Sequence, residues 1–450
     1  MIISRRAHDL SVERPNAFSA FRHRDYKLYW FGMCASTIGT WMQTVGQSWL
    51  VLELTDSPFL LGLESAVQYL PAVVLSLPAG CIADHVSKRR ILVIAQSAMM
   101  ICAFVLSALT YMGRVRFWHV AALSFISGCA TAFDIPTRQS LMIQLVGRED
   151  LMSAISLNSA LFNVARTVGP ALAGLVLARY SAATAFLLNG ISFLAIILAL
   201  LMMRSPAVTM VHGQDEWYRR LRDDILEGVR FVASTPVALF VVVALFLVSV
   251  FAFNYQVLAP VIAKQVLGEG ASGYGLLMSA LGVGALVAAL TMSYLSYRGP
   301  RPSMVMAGAF AAPLALTALG FASSLTTAMA FMAVYGWWMI AFVSHANSLL
   351  QYNTPDHLRG RVMGVYSVVL LGSAPAGAIY VGAVSGALGG RAGCLAAALG
   401  GFVSAIMLVL WVHRRHVFSG PDSNGFLPPS TPEVVRPRQG HTDNLAGGHG

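Results

Sequence analysis

Gly80-Cys-Ile-Ala-Asp84-His-Val-Ser-Lys88-Arg89-Arg90 separates two uninterrupted apolar runs, 59–82 and 90–111. Each run is long enough to cross a bilayer as a helix, which takes about 20 residues. Only a few residues join them, so the two helices must lie antiparallel and side by side. The connection nevertheless carries one acid and three bases. A charged loop that short is expected to dock onto another part of the protein.

The rest of the chain continues the pattern. Of its 450 residues 56% are hydrophobic and only 11% charged, too apolar for a soluble globular protein of this length. Twelve membrane-length runs can be read: 26–52, 59–82, 90–111, 117–140, 152–178, 183–203, 235–263, 272–297, 303–322, 326–350, 361–386 and 391–413. Their length and continuity predict helices, because barrel strands are short and alternate. With the N-terminus inside, only Arg114, Arg116, Arg179, Lys264 and Arg391 fall in outer loops and Arg166 inside a span. The other Lys and Arg of the 30 in the chain lie on the inner side. That bias predicts both termini in the cytoplasm. The net charge of +10 is then a topology signal, and no nucleic-acid partner is needed to explain it.

The first 25 residues form a basic arm without the apolar core or small-residue cleavage site of a signal peptide. Residues 205–234 form the longest polar break and divide the spans six and six, into 26–204 and 235–413. Within that break Trp217, Leu221, Ile225, Val229 and Val232 recur at helical spacing among charged residues, as in an amphipathic helix at the cytoplasmic membrane surface. The tail 414–450 is rich in Pro, Gly, Ser and His and is expected to be disordered. The five cysteines sit in or beside apolar runs, which suits small packing residues better than disulfides or metal ligands.

No phosphate-binding Gly-x-x-x-x-Gly-Lys-Ser/Thr occurs, and no His, Cys or carboxylate cluster has metal or hydrolytic spacing. An enzyme, a metal and a cofactor are therefore not expected. Gly268-Glu-Gly-Ala-Ser-Gly273 matches the dinucleotide fingerprint in letters alone, without the strand and helix around it. Polar groups inside the spans are more informative, since each is costly in hydrocarbon unless it pairs or faces water. Arg166 lies deep in the fifth span with Asn163 one turn earlier. It reads either as a cavity cation for an anionic substrate or as half of a buried structural pair. Gln43 and Gln47 share a face of the first span, Asn254 and Tyr255 interrupt the seventh, and Trp337 sits with Trp338 in the tenth. These polar and aromatic side chains suit a bulky amphipathic substrate, or hydrogen bonding between helices. Asp134 and Arg138 stand at i, i+4 near the inner end of the fourth span, where they suit a charge network at a gate. Asp134 and Glu64, in the second span, are the candidate proton sites. A snorkelling interfacial acid is the other reading of Glu64.

The Gly80–Arg90 stretch resembles the loop 2–3 signature of the major facilitator superfamily, with His85 and Ser87 where that signature has Arg and Gly. Phe21-Arg-His-Arg-Asp-Tyr-Lys-Leu-Tyr-Trp30, Gly39-Thr-Trp-Met-Gln43, Ala132-Phe-Asp-Ile-Pro136, Asn163-Val-Ala-Arg-Thr-Val-Gly-Pro170 and Arg359-Gly-Arg-Val-Met-Gly364 look like the enterobactin-exporter branch, the transmembrane secretion effectors. The resemblance implies an all-helical membrane protein of twelve spans in two pseudo-symmetric six-helix bundles. It also implies a bacterial inner membrane, export of siderophores or drug-like molecules, and a monomer whose partners are substrate, protons and lipid. Gly169-Pro-Ala-Leu-Ala-Gly174 resembles part of the antiporter signature, which implies proton antiport. Carried over, Asp84 would cap a helix of the other half and Lys88 or Arg89 would meet Asp134, with Gly80 and Arg90 completing the signature. A proton-coupled importer and a lipid-handling membrane protein remain the alternatives.

Overall fold

A computed structural model describes residues 18–147, 149–204, 217–295 and 299–415, and all regular structure among them is helical. In chain order the helices are α1 (Arg24–Thr55), α2 (Pro58–His85), α3 (Lys88–Tyr111), α4 (Phe117–Val146), α5 (Leu151–Arg179), α6 (Ala182–Met202) and α7 (Trp217–Ser234). They continue as α8 (Pro236–Ala252), α9 (Tyr255–Val261), α10 (Ala271–Tyr294), α11 (Pro302–Gly320), α12 (Leu325–Tyr352), α13 (Arg359–Leu388) and α14 (Gly390–Arg415). The expected disordered tail lies outside the described residues beyond the end of α14.

Local chemistry sets the turns between these helices. Ser57 accepts from the Leu60 amide at 3.3 Å and Pro58 opens α2, the cap and first-turn proline that start a helix well. Gly147 ends α4 at φ 71°, a left-handed conformation that costs glycine little. Such tight connections force successive helices to run antiparallel. Leaving α7 aside and counting α8 with α9 as one span, each therefore begins on alternate faces: the basic face, where α1 starts, and the opposite face, where it ends.

Among the described residues, eleven helical segments are long and apolar enough to cross a membrane. The first expected span is present as α1, which is 32 residues long. Gln43, Thr44, Gln47, Ser48 and Glu53 keep it below that level of apolarity. The seventh expected span, 235–263, is broken into α8, α9 and a π-helical turn at Ile262–Val266. Asn254 donates its amide to the Val250 carbonyl (2.7 Å), and the Tyr335 hydroxyl donates to the Ala252 carbonyl (2.5 Å). Backbone groups released by the break are thus satisfied internally, as hydrocarbon requires.

Helices α1–α6 pack on one another, and α8–α14 do likewise; α2 against α13 and α5 against α10 join the two sets. Glycines bring those backbones together: a Cβ on Gly62 would strike the Ala378 carbonyl, and the α-carbons of Gly174 and Gly275 face each other. Both crossings lie toward the opposite face. On the basic face a side chain at Gly360 or Gly364 of α13 would meet nothing. Ile94, Ile101, Leu198, Leu201 and Leu290 are more than half exposed on the perimeter, as a lipid-facing surface requires.

The amphipathic α7 packs on α13 and α8. Arg361 of α13 binds Asp224 (2.8 Å) and Glu227, and Gly228 lets α7 approach the Arg361 carbonyl. The helix expected at the membrane surface is thus docked on protein along one side, with Leu226 and Val229 left exposed. The described end of the basic arm, from residue 18, docks in the same way. Ala20 donates its amide to Ser153, Tyr26 its hydroxyl to the Ala154 carbonyl, and His23 sits 2.8 Å from Asp150, all at the start of α5.

Candidate functional site

Three polar clusters lie inside the helical body. The first is built on α5. Arg166 is only 6% exposed. Its Nη2 donates to Asn163 Oδ1 at 2.9 Å, as their one-turn spacing allows, while its buried Nε has no partner. No described carboxylate lies within ion-pair distance of the guanidinium. Gly282 of α10 packs on the Arg166 backbone, so the cation stands where the two helix sets meet. Tyr255, at the start of α9, is within its electrostatic reach. Beside it Gln256 accepts a hydrogen bond from Tyr69 of α2 at 3.0 Å. Asn254 turns inward to cap the broken span and is 5% exposed, with Gly377 of α13 leaving it room.

The second cluster runs through α6, α1, α2 and α4. Asn189 donates to Gln43 Oε1 (2.7 Å), Gln43 to Gln47 Oε1 (3.3 Å), and Gln47 to Glu64 Oε1 (2.6 Å). Ser124 completes the cage, 2.7 Å from the same carboxylate oxygen and 2.9 Å from Gln47 Nε2. Glu64 is 2% exposed, which rules out the snorkelling acid. Sequence reading paired Gln43 with Gln47 but missed Asn189 and Ser124; a lone Asn in a very apolar span was the available signal.

The third cluster lies toward the basic face. Arg138 binds Asp134 at 2.5 Å and Gln96 of α3 donates to the other Asp134 oxygen at 2.7 Å. The expected pairing of Lys88 or Arg89 with Asp134 is not made. Arg89 instead donates to the Met203 and Leu201 carbonyls at the end of α6. The last carbonyls of a helix lack partners along the chain, and a cation there is favourable. Neither Lys88 nor Arg90 forms an ion pair with a described carboxylate. Gly80 and Asp84 fall on the last turns of α2, outside the residues whose side chains are described.

Trp337 is elsewhere. It stacks edge-on against Trp338 and, with Val283, Val287 and Val334, lines an apolar groove of about 390 Å³ between α10 and α12. The three valines are each about half exposed, Val283 and Val287 on α10 and Val334 on α12. On the opposite face, Lys264 of the π-helical turn binds Asp56 at 2.9 Å and the Leu52 carbonyl at 2.9 Å. It thereby ties the end of α1 to the other helix set. Among the described residues Asp56 is the non-glycine residue with positive φ, 47°. Reading along the chain gave no sign of this pair, whose members are 208 residues apart.

Comparison with known proteins places the arrangement. Residues 15–442 match the family model described as transmembrane secretion effector. The chain belongs to this family, within the major facilitator superfamily. It is 26% identical over 395 residues to the multidrug efflux pump Tap of Mycolicibacterium fortuitum, covering 86% of this chain and 95% of that one. It is 26% identical over 340 residues to the staphyloferrin A transporter of Staphylococcus aureus (73% of this chain, 81% of the relative). It is 24% identical over 366 residues to the enterobactin exporter EntS of Shigella boydii (79% and 84%). Among solved structures the nucleoside transporter NupG superposes with TM-score 0.70 at 14% identity, over 86% of this chain and 98% of that one. A bacterial homologue of the iron transporter ferroportin, solved in an inward-facing state, gives 0.68 at 14%, over 86% and 98%. These likenesses establish the fold, and the chain is a multi-pass membrane transporter.

Proposed function

We propose that this transporter exports a small amphipathic molecule, siderophore-like or drug-like, by alternating access with proton antiport. In this reading α1 is a twelfth span. Residues 26–204 and 235–413 are two six-helix bundles, and 205–234 is the linker between them. The basic face is cytoplasmic, as the bias of Lys and Arg predicts. Contacts across the bundles then gather on the outer side, at Lys264–Asp56, Gly62–Ala378 and Gly174–Gly275, with an opening toward the cytoplasm. Asp84 and the Asp134–Arg138–Gln96 cluster serve the inner gate.

One observation carries the substrate site: a buried guanidinium, lacking a carboxylate partner, where the bundles meet. An unneutralised buried charge costs several kcal/mol, and a ligand that supplies the anion offsets that cost. Arg166, Asn163 and Tyr255 would hold the acidic group of the cargo while Gln43, Gln47 and Asn254 shape the polar side. Trp337 would meet an apolar part only from its groove. The outward direction draws on the similarity to efflux proteins.

Expression in cells lacking their own efflux pumps tests the reading. Accumulation of a catecholate or of a hydrophobic dye should fall, and collapse of the proton gradient should restore it. Gradient-dependent uptake of the same compound into right-side-out vesicles would instead establish an importer. Redistribution of labelled lysolipid, with no solute moved, would establish lipid handling.

A further inference from the structure

Glu64 presents a feature that the substrate site does not use: a fully buried carboxylate with no cation beside it. Its partners are neutral donors, Gln47 at 2.6 Å and Ser124 at 2.7 Å. The amides behind Gln47 all point the same way, from Asn189 to Gln43 to Gln47 to Glu64. Hydrogen bonds aligned in series polarise one another, so the row delivers a positive dipole end to Glu64 Oε1. Ser124 has a second acceptor, the Val120 carbonyl one turn back on α4, at 2.9 Å. A hydroxyl has one proton to give and two lone pairs to receive.

We propose that Glu64 is the proton-binding site of this transporter and that Ser124 is the positioning residue that accommodates both of its states. This rests on the proton-antiport reading above. When Glu64 is ionised, Ser124 donates to Oε1. When a hydronium from the outer water delivers its proton, an O–H bond forms on the carboxyl and water is released. The new carboxyl donates to Ser124 Oγ, and the Ser124 hydroxyl turns to Val120. Gln47 still donates to the carboxyl in either state. No buried group is stranded in either form, which would cost about 1–3 kcal/mol.

Asp134, the other candidate, lacks this property. Arg138 and Gln96 occupy both of its oxygens, and protonation would leave a partly buried guanidinium without its anion. Among the described residues no charged group acts on Glu64, and the titratable side chains within its electrostatic reach are the phenols Tyr69 and Tyr274. Position supports the assignment. Glu64 lies about 9 Å along α2 from Pro58, at about 1.5 Å per residue. The crossing of Gly62 on Ala378, and of Gly382 on the Pro58 carbonyl, closes that end of α2. Parting α2 from α13 on the outer side would admit water to the carboxylate.

Infrared difference spectroscopy of the full-length protein in lipid, titrated with acid, reads the site without knowledge of the cargo. The expected result is a protonated-carboxyl band that titrates in the wild type and vanishes in Glu64→Gln. In Ser124→Ala the band should persist with its midpoint displaced by about tenfold in proton affinity, the size of one lost hydrogen bond to a charged group. Gln47→Leu should displace it too. Both variants relieve crowding, and a monodisperse gel-filtration profile checks their folding. A band that survives Glu64→Gln overturns the proposal, as does a midpoint unmoved in both Ser124→Ala and Gln47→Leu. If the Glu64 band titrates as expected but export ignores the proton gradient, the antiport reading fails and the site stands. If export follows the gradient without a Glu64 band, the site alone fails.

Discussion

Replacing Arg166 by Met keeps most of the side-chain volume and removes the charge. In an ordinary buried ion pair this change strands the partner and destabilises the fold by about 3–5 kcal/mol. Arg166 has no carboxylate to strand, since its side-chain partner is Asn163 and its Nε is unbonded. Losing the orphaned donor returns about 1–3 kcal/mol, and Asn163, partly exposed, gives back about 1 kcal/mol of that. The expected net effect is a gain of about 0–2 kcal/mol in the cargo-free protein. At about 2–4 °C per kcal/mol for a mid-sized domain, and less in a chain of this length, the melting temperature should hold or rise by a few degrees. Transport and stabilisation by anionic ligands should be lost together. The assay is thermal unfolding of purified protein with 2-naphthoate, 2-naphthol and 2-naphthylmethylammonium, three probes that share a ring system and differ in charge. Naphthoate should stabilise the wild type most and Arg166→Met not at all. A melting temperature that falls by several degrees in Arg166→Met would refute the reasoning, because it would mean that the guanidinium completes a structural pair. Equal stabilisation of the wild type by all three probes would remove the anion from the account.

Asp56→Asn keeps a residue that tolerates the left-handed turn and removes the charge facing Lys264. The pair is solvent-exposed on the Asp56 side and worth about 0.2–1 kcal/mol. Spin-label distances between α2 and α13 on the Asp56 side should therefore show the open population rising by up to about fivefold, with high salt mimicking the substitution in the wild type. Gly62→Leu places a side chain on the Ala378 carbonyl, so the outer closure should fail. Cysteine pairs across that face should stop cross-linking while protein yield is kept. Asp150 carries an acid-side prediction. Hydrogen bonds from Ser19 and then His23, with the nearby positive charge, hold its carboxyl below the usual range. A depressed folded-state value gives stability that is present above the ordinary carboxylate range and is lost as pH falls through the lowered one. Amide hydrogen exchange across residues 19–26, divided by the intrinsic rate at each pH, should stay slow through mildly acidic pH and accelerate only in stronger acid, with Asp150→Asn accelerating it at neutral pH.

The spans were legible because bilayer-length runs of Leu, Val, Ala and Phe have few other uses, and the short charged loop at Gly80–Arg90 fixed two of them as neighbours. The break in the seventh span was legible too, in Asn254-Tyr255-Gln256. Pairings between helices were not. Arg89 was matched to an acid because charge is visible in a sequence, whereas the carbonyls that hold it are carried by every residue. Glu64 could be numbered along α2 but not assigned a face, and its burial depends on Gln47 and Ser124 arriving from α1 and α4. Trp337 reads in the sequence as suiting a bulky amphipathic substrate, yet its azimuth on α12 turns it to the groove shared with Val283. Lys264 and Asp56 belong to opposite ends of the sequence, and only packing brings them together.

Where α2 crosses α13, and where α5 crosses α10, glycines set main chain against main chain with no side chain between. Such a contact encodes no substrate. It depends on the absence of bulk at Gly62, Gly174, Gly275 and Gly382 and on little else. If the transport reading holds, the surfaces that would rock are distinct from the side chains proposed to meet cargo around Arg166. Such a transporter could change what it carries by altering Asn163, Tyr255 or Gln43 while its moving joint stays as it is.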